Sequence, residues 1–431
     1  MTIRIADHLP ADPDRAMRLA LDRTMAEMKG SRILGIAGDV QAMQARGRRI
    51  CNLTVGDFSP AHFRVPDALT DQVQRAMAEG HTNYPPADGI PELKRAVADM
   101  YARDLGLDYG AAGVCVGSGA RPPIYAAWRL FTEPGDGSLS FLPSWNVGYY
   151  AHFCKTRHEF VRTTADTNFF PTADQVAAAL PGKRLMYMNS PLNPTGTAID
   201  EAVLRDIAQA LVDENRAREA VGDKPCMWIY DQVYWRLTSG DTRHHNPVRL
   251  VPECAPYVIH VDAVSKWLAG TGLRVGWAVL PPYLQARMKG FIGHMGAWAP
   301  RPIQQATAWL LDRPELVADY LSGLQAAIDA RLRRIHAAVQ EMRAEGLPID
   351  AIAPQGAIYL SLHVDMIGRG FDTNEQIRTW LLEEAGVAVV PFQAFDMPED
   401  TGWFRMSVGA VGIEELDEAL LRIREALRRR A

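Results

Sequence analysis

Short apolar runs alternate with longer segments of helical periodicity along the middle of the chain. The apolar runs lie at 51–55, 113–116, 138–142, 158–161, 184–188, 227–230, 257–261 and 275–280. Strands that are apolar along their whole length and are separated by helices belong to a mainly parallel sheet with helices on both faces. The pattern therefore predicts an α/β fold whose large domain has three layers around a mainly parallel (mixed) sheet.

The segments on either side of this region have different patterns. Residues 11–46 are helical in pattern, with apolar residues at near-helical spacing at Ala16, Leu19, Ala20, Met25 and Met28. Residues 302 to about 345 form a long amphipathic stretch that we interpret as the helix leading into a second domain. After it, strand candidates precede a closing helix from Ile413, and they lie at 357–362, 387–390 and 403–408.

We expect three parts in the chain. Residues 1–30 form an N-terminal arm, and residues 57–319 form the large domain. A smaller α+β domain combines residues 31–56 with residues 320–431.

The composition is that of an ordinary globular protein. With 431 residues and 48% hydrophobic content, the chain can bury a large core and divide into two or more domains. The formal charge of −5 gives no basic footprint for nucleic acid, and basic residues cluster only at 422–430, where cations suit the end of a last helix. No run of about 18 apolar residues is present. We therefore expect a protein that binds neither nucleic acid nor membrane.

Cysteine usage and the N-terminus indicate the compartment. The chain has five cysteines without CxxC spacing, which argues against a disulfide framework or a zinc site: Cys51, Cys115, Cys154, Cys226 and Cys254. The first residues lack a basic start followed by an apolar stretch. We expect a cytoplasmic protein without a metal site. His244 and His245 are adjacent, but with no carboxylate or cysteine at a suitable spacing we interpret them as loop surface.

Lys266 is the most informative residue for chemistry. It lies in a segment of small and polar residues that begins at Ser265 and ends at Arg274. A free lysine has a pKa of about 10.4, so a Schiff-base lysine needs a cationic or desolvating neighbour, and Arg274 is a candidate for that neighbour and for a phosphate clamp. A solvated surface lysine is the alternative for this segment alone.

Two further motifs follow predicted strands. Gly117, Ser118 and Gly119 come just before a helix near Pro122, where backbone N–H groups can bind a phosphate. A turn that needs glycine only for its geometry is the alternative. Trp145 follows the strand at 138–142 and can stack on a flat ring, although it could equally be a core tryptophan.

Polar residues also follow the strands at 184–188 and 227–230. Asn193 lies in Asn189-Ser190-Pro191-Leu192-Asn193-Pro194-Thr195-Gly196-Thr197, whose prolines and glycine can hold its amide toward a ligand oxygen. Asp231 can pair with a protonated pyridine nitrogen, and Tyr234 can reach the ring oxygen. An N-cap aspartate is the alternative for Asp231.

Together these residues resemble the class I/II aminotransferases, the aspartate aminotransferase-like enzymes of fold type I, over about Gly56 to Arg405. The resemblance implies a pyridoxal 5'-phosphate cofactor and catalytic roles for Lys266, Asp231 and Tyr234. Lys266 would form the internal aldimine and move the proton between the substrate α-carbon and the cofactor. The resemblance assigns the cofactor to Gly117, Ser118, Gly119, Trp145, Asn193, Asp231, Tyr234, Ser265, Lys266 and Arg274.

The resemblance also implies substrates and a partner subunit. Arg405 would bind the substrate α-carboxylate, a task that suits a bidentate guanidinium, and Gly56, Trp145 and Asn193 would complete the substrate site. Tyr84 matches the tyrosine that members of the family donate to the phosphate of the neighbouring subunit, which implies a homodimer.

The implied reaction is a ping-pong transfer of an amino group between an L-amino acid and a 2-oxo acid. A pyridoxal phosphate-dependent β-elimination or γ-displacement, and a non-catalytic cofactor-binding protein, remain as alternatives. Ala263 and Gly119 depart from the family pattern at phosphate-binding positions. The sequence leaves the substrate side chain open, because Arg121, His294 and Arg301 could contact it, while Met295, Trp298 and Trp267 could line an apolar pocket.

Overall fold

A seven-stranded sheet lies at the centre of the computed structural model, which describes residues 2–28, 30 and 32–430 apart from the side chain of Leu34. The strands are β1 Cys51–Asn52, β2 Val114–Gly117, β3 Gly137–Leu142, β4 Arg157–Arg162, β5 Lys183–Asn189, β6 Met227–Asp231, β7 Val258–Ala263, β8 Gly276–Val279, β9 Ile349–Ala351, β10 Tyr359–Val364, β11 Val387–Ala388, β12 Val390–Pro391 and β13 Trp403–Ser407.

The helices follow the predicted alternation with the strands. They are α1 Pro13–Ala20, α2 Arg23–Ala26, α3 Arg32–Ala45, α4 Asp67–Ala78, α5 Pro91–Leu105, α6 Arg121–Phe131, α7 Val147–Cys154, α8 Ala173–Ala179, α9 Glu201–Ala220, α10 Pro247–Leu250, α11 Val264–Trp267, α12 Pro282–Met295, α13 Arg301–Leu311, α14 Pro314–Ala344, α15 Asn374–Trp380 and α16 Ile413–Arg430.

The central sheet has the strand order β2-β8-β7-β6-β5-β3-β4. β8 is antiparallel to both of its neighbours, and the other pairs are parallel. The register places Asn189 of β5 opposite Asp231 of β6, and Asp231 opposite Val261 of β7. The predicted α/β class with a mainly parallel, mixed sheet is confirmed. The carboxyl ends of β5, β6 and β7 lie side by side, so the residues that follow these strands are close together.

Helices cover both faces of the sheet, because its strands are apolar on both sides. Ile124 and Trp128 of α6 and Met288 of α12 pack on one face with alternate residues of β5, β6 and β7. Leu93 of α5 and Leu204 of α9 belong to the cluster on the other face. The three layers are therefore those that the apolar strands predict.

Two smaller sheets are formed by strands that precede and follow the central sheet in the chain. The order β12-β13-β10-β9 forms an antiparallel sheet, and β1 pairs with β11 in parallel. Leu53 accepts a backbone hydrogen bond from Ser407 and donates one to Ala388, so the residues before Gly56 are fixed against the C-terminal segment. The α+β character is as expected, although β9 was not predicted and the strand predicted at 51–55 is shorter.

The pattern predicted one helix for the amphipathic stretch after Pro302, but the stretch forms two helices. It breaks between α13 and α14, where Arg313 has a non-helical backbone (φ −128°, ψ 71°) because the following Pro314 disfavours the helical region. The break lets the 31 residues of α14 continue past residue 320 toward the smaller sheet. The division at 319/320 falls inside this helix, and the three-part domain division stays a prediction.

The prediction of helix within 11–46 is confirmed by α1, α2 and α3, but the first two of these helices lie outside the core. α1 and α2 contain no buried residue, and Leu19 is 76% exposed. Their apolar residues therefore lie on the surface of this chain. In the ranges that the structure describes, no helix combines the length and apolar character needed to cross a membrane.

Gly196 connects the loop of Asn193 to β10, and we predict that it tolerates no side chain. Its φ is +72°, and an added Cβ would overlap the Tyr359 carbonyl oxygen. Gly182 is a matched control, since its φ is +73° and nothing lies within 4 Å of its Cβ position. We expect Gly182→Ala to cost about 1 kcal/mol and Gly196→Ala about 2 to 5 kcal/mol, because the clash adds to the left-handed strain. Thermal unfolding of both apoproteins measures the difference, and equal losses of Tm would contradict it.

Candidate functional site

A cavity of about 820 Å³ lies beyond the carboxyl ends of β5, β6 and β7, where ligands bind in open α/β sheets. Most of the predicted site residues line it: Gly56, Trp145, Asn193, Asp231, Tyr234, Ser265, Lys266, Arg274 and Arg405. A second cavity of about 490 Å³, between Asp166 and Gln355, contains none of them. The first cavity is therefore the candidate site.

Asp231 is buried at the end of β6. Its carboxylate accepts hydrogen bonds from the Tyr187 hydroxyl (2.7 Å) and from the Val233 N–H (3.2 Å). Burial raises the pKa of Asp231 to about 6, and those hydrogen bonds and the positive charge of Lys266 act against this rise. Burying a carboxylate without a cation in contact is unfavourable in free energy, so this position suits a cationic ligand group.

Lys266 lies in the short helix α11 that follows β7. Its Nζ donates a hydrogen bond to the Gly56 carbonyl oxygen (2.8 Å) and lies 5.7 Å from the centre of the Tyr234 ring. The amine is thus held at the cavity wall by a neutral acceptor, which leaves it available to a ligand.

Arg405 lies on β13, and its guanidinium approaches Gly56 from the smaller sheet, whereas Lys266 approaches it from the central sheet. Its Nη1 donates to Asn193 Oδ1 (3.0 Å) and its Nη2 to the Thr54 carbonyl oxygen (2.6 Å), while its buried Nε has no partner. Burial lowers the pKa of Arg405. A buried guanidinium with neutral partners and an unsatisfied N–H indicates a binding site for an anion.

Asn193 is fixed by Asn189. The Asn189 Oδ1 accepts from the Asn193 backbone N–H (2.9 Å), and its Nδ2 donates to the Asp231 carbonyl oxygen (2.8 Å). Because Arg405 occupies the Asn193 oxygen, the amide NH₂ of Asn193 remains as a donor toward the cavity. The motif therefore places the Asn193 side chain at the cavity.

Gly119, Arg274 and the start of α6 form a concave turn. Gly119 has φ +83°, and an added Cβ would overlap the Arg274 guanidinium. Arg274 donates to the Ser118 carbonyl oxygen (3.0 Å) and to the Thr271 carbonyl oxygen (2.7 Å). The N–H groups of Ser118 and Gly119 donate to the carbonyl oxygens of Ala297 and Gly117, so the Arg274 guanidinium and the N-terminus of α6 are the groups here that suit a phosphate. Gly117 ends β2 behind this turn and does not reach the cavity.

Trp145 and Arg121 lie together at the cavity wall. The Arg121 guanidinium is 4.8 Å from the centre of the Trp145 ring. Because Arg121 lines the cavity, its position favours a contact with the ligand.

Charge is unevenly distributed in the cavity. Its cationic side chains are Arg121, Lys266, Arg274 and Arg405, and its carboxylate is Asp231. Among the residues that the structure describes, none of these cations forms an ion pair. The cavity is therefore electropositive and suits a ligand or ligands with several negative charges.

Tyr359 was missed by sequence reasoning. Its hydroxyl is 2.7 Å from that of Tyr234, and the Arg405 guanidinium lies 4.6 Å from the centre of its ring. As one aromatic residue in an apolar strand, it gave no signal of its own. Tyr187, which donates to Asp231, was missed for the same reason.

Several other candidates lie outside the cavity. Tyr84 is 80% exposed and contacts Trp298, with 4.9 Å between ring centres. Arg301 donates to the Asn83 side chain on the same loop, and His294 is exposed, so neither reaches the cavity in this chain.

We expected His244 at the surface of a loop, but it is not fully exposed there. Its side chain is half-buried, and its Nε2 lies 3.3 Å from Gln232 Oε1. Burial lowers the pKa of His244 to about 3. The part of the chain that the structure describes contains no cluster of three or more potential metal ligands.

The residues present fit pyridoxal phosphate. The turn at Gly119 and Arg274 suits its phosphate, the unpaired carboxylate of Asp231 suits a protonated ring nitrogen, and the free amide donor of Asn193 suits the ring oxygen. The amine of Lys266 lies in the same cavity.

Known proteins resemble this chain over nearly its whole length. Residues 48–423 match the model of the family described as aminotransferase class I and II. An aspartate/prephenate aminotransferase of Cereibacter sphaeroides is 30% identical over 94% of this chain and 97% of the relative. An aspartate aminotransferase of Rhizobium meliloti is 30% identical over 92% of this chain and 93% of the relative. The solved structure of Thermus thermophilus aspartate aminotransferase with maleate has a TM-score of 0.84 at 25% identity and covers 95% of this chain and 100% of its own.

Proposed function

We propose Lys266 as the central catalytic residue of this chain, which belongs to the class I and II aminotransferases. The protein is a pyridoxal phosphate-dependent enzyme that transfers an amino group between an amino acid and a 2-oxo acid in a ping-pong reaction. One observation carries the assignment: the Lys266 amine donates to the Gly56 carbonyl oxygen and the Arg405 guanidinium to the Thr54 carbonyl oxygen, so both side chains meet at one segment of backbone.

The roles of these residues follow from their contacts. When bound, the cofactor supplies the aldehyde that takes up the amino group and the ring that withdraws electrons from the substrate α-carbon. Arg405 binds the substrate α-carboxylate through its buried guanidinium, and Gly56, which has no side chain between its backbone and Arg405, lets that backbone approach the substrate. The α-carbon then lies near the Lys266 amine, which removes and returns its proton.

Asp231, Asn193 and Tyr234 hold the cofactor ring. The Asp231 carboxylate stabilises a protonated ring nitrogen, and this charge pairing offsets the cost of burying the carboxylate. Asn193 and Tyr234 donate to the ring oxygen, and Trp145 stacks on the ring. Ser118, Gly119, Ser265 and Arg274 form the proposed phosphate site, and Gly117 shapes the turn behind it.

A dicarboxylic amino acid such as aspartate is the proposed substrate. Arg274 is assigned to the phosphate, Arg405 to the α-carboxylate and Lys266 to the chemistry, so Arg121 is the cavity cation that remains for a second carboxylate. Two relatives are named aspartate or aspartate/prephenate aminotransferases, and a related structure contains the dicarboxylate maleate.

A homodimer is the proposed assembly, with Tyr84 acting in the site of the neighbouring subunit. Tyr84 is too exposed to serve the cavity of its own chain. The N-terminal segment exposes the apolar side chains of Ile3, Ile5, Leu9 and Leu19, and a second copy of the chain would cover such a surface.

The proposed location is the cytoplasm. All five cysteines are buried and free, and burial raises the pKa of the Cys115 thiol to about 12, so they need no oxidising compartment. Cell fractionation with an aminotransferase assay tests this location.

Lys266→Ala is expected to abolish multiple-turnover transamination. Loss of the covalent and proton-transferring amine removes at least about 10³-fold in kcat, because both contributions are lost together. The measurement is amino-group transfer to a 2-oxo acid after reconstitution with the cofactor. Lys224→Ala, at an exposed surface lysine, is the control. Full activity of Lys266→Ala would refute the assignment.

Arg121→Met is expected to change substrate preference. Removing a charge-assisted hydrogen bond to the second carboxylate lowers kcat/KM for aspartate by about 10- to 100-fold, while the value for alanine changes by less than about 3-fold. Arg129→Met on the same helix is the control, because Arg129 does not line the cavity. Equal losses for both amino acids would rule out Arg121 as the side-chain residue.

Mixed dimers test the place of Tyr84. Tyr84→Ala and Lys266→Ala subunits are each expected to be impaired alone. In a random mixture, a tyrosine that acts across the interface restores about a quarter of the sites, because each mixed dimer has one site without either change. If Tyr84 acted within its own subunit, no site would be restored, and the proposed exchange would be wrong.

A further inference from the structure

Asp262 is a buried carboxylate that the proposed reaction does not use. It lies on β7, four residues before Lys266, and it is fully buried outside the cavity. Its Oδ2 accepts a hydrogen bond from Trp235 Nε1 (2.8 Å). Its Oδ1 accepts from Trp267 Nε1 (3.2 Å) and from the Ala263 N–H (2.7 Å).

The two tryptophans are neighbours in sequence of proposed catalytic residues. Trp235 follows Tyr234, and Trp267 follows Lys266. The Asp262 carboxylate therefore connects the loop after β6 to the helix after β7. Each tryptophan that it binds is the next residue in the chain after a side chain that lines the cavity.

Arg236 completes this cluster. Its guanidinium lies 4.1 Å from the centre of the Trp235 ring and 5.2 Å from that of Trp267, and it forms an ion pair with Asp104. The guanidinium packs against both indoles, so they have little freedom to move away from Asp262.

The cluster is costly to maintain. Burial raises the pKa of Asp262 to about 7, while the indole and Ala263 hydrogen bonds and the charge of Arg236 act against this rise. An apolar residue would avoid that cost but would leave two buried indole N–H groups without an acceptor. A carboxylate is the one side chain of this size that can accept from both indoles and from the backbone at once.

We propose that Asp262 is a positioning residue for amino-group transfer, which holds Lys266 and Tyr234 in a fixed relation through Trp267 and Trp235. The proposal rests on the catalytic roles assigned above to Lys266 and Tyr234. It assigns Asp262 no contact with the substrate or the cofactor.

Trp228 provides a matched control. It is fully buried on β6, the strand that carries Asp231, but its indole Nε1 has no hydrogen-bond partner. Trp228→Phe therefore removes a buried indole of the same kind without removing a contact to a carboxylate.

The first test measures the contacts themselves in the holoenzyme. With ¹⁵N-labelled tryptophan, the Asp262→Asn change is expected to shift the indole N–H resonances of Trp235 and Trp267 and to leave that of Trp228 in place. Single Trp→Phe variants assign the three resonances. Unchanged Trp235 and Trp267 resonances would overturn the proposal whatever the kinetics.

The second test measures the reaction with the L-amino acid that the wild-type enzyme turns over fastest, carrying hydrogen or deuterium at its α-carbon. Asp262→Asn puts an amide N–H against an indole N–H, and we expect a loss of about 10- to 100-fold in kcat with KM within about 3-fold. The isotope effect on kcat should rise, because a misplaced Lys266 slows proton transfer. Trp235→Phe and Trp267→Phe should cause smaller losses of the same kind.

Controls separate this proposal from the proposed function. If Lys266→Ala keeps transamination, the function fails, and the resonance test still reports on the contacts of Asp262. If Asp262→Asn does not fold, the two Trp→Phe variants decide. Wild-type kcat and isotope effect in these variants, or losses equal to that of Trp228→Phe, would overturn the positioning role.

Discussion

The hydrogen-bond register of three neighbouring parallel strands determines the rest of the site. β5, β6 and β7 end side by side, with Asn189 opposite Asp231 and Asp231 opposite Val261. Asn189 continues this ladder beyond the strands, since it donates to the Asp231 carbonyl and accepts from the Asn193 N–H. A slip of one residue would turn Asp231 to the other face of the sheet. The backbone pairing thus fixes the distance between the side chains that we propose hold the cofactor.

Electrostatics gives this geometry its chemistry. The cavity concentrates cations that have no acidic partners, and it buries one carboxylate without a cation in contact. Such groups are costly in the free protein, but a phosphate, a substrate carboxylate and a protonated ring nitrogen each supply a missing partner. Because the charges are already oriented, little reorganisation is needed during the reaction.

The site also depends on the smaller sheet. Arg405 comes from β13 and Tyr359 from β10, while Gly56 follows residues that are hydrogen-bonded to the C-terminal segment. Gly196 lets the loop of Asn193 pack against the backbone of Tyr359. The roles proposed for Arg405 in substrate binding and for Lys266 in proton transfer therefore require the central and smaller sheets to keep one relative position.

The sequence by itself determined the chemistry and the class of fold. The residues proposed for the chemistry follow apolar strands or lie in short motifs, and they include Lys266, Asp231, Asn193 and Arg274. Such motifs are visible in the sequence because the turn that positions each side chain is encoded by its immediate neighbours. Tertiary structure alone decided the strand order, the antiparallel direction of β8 and the break before Pro314. It also decided that the apolar residues of α1 stay exposed, that Tyr359 meets Tyr234, and that Asp262 joins Trp235 to Trp267. The physical reason is that periodicity reports which side of an element is apolar, whereas the partner that covers that side is set by contacts between residues far apart in the chain.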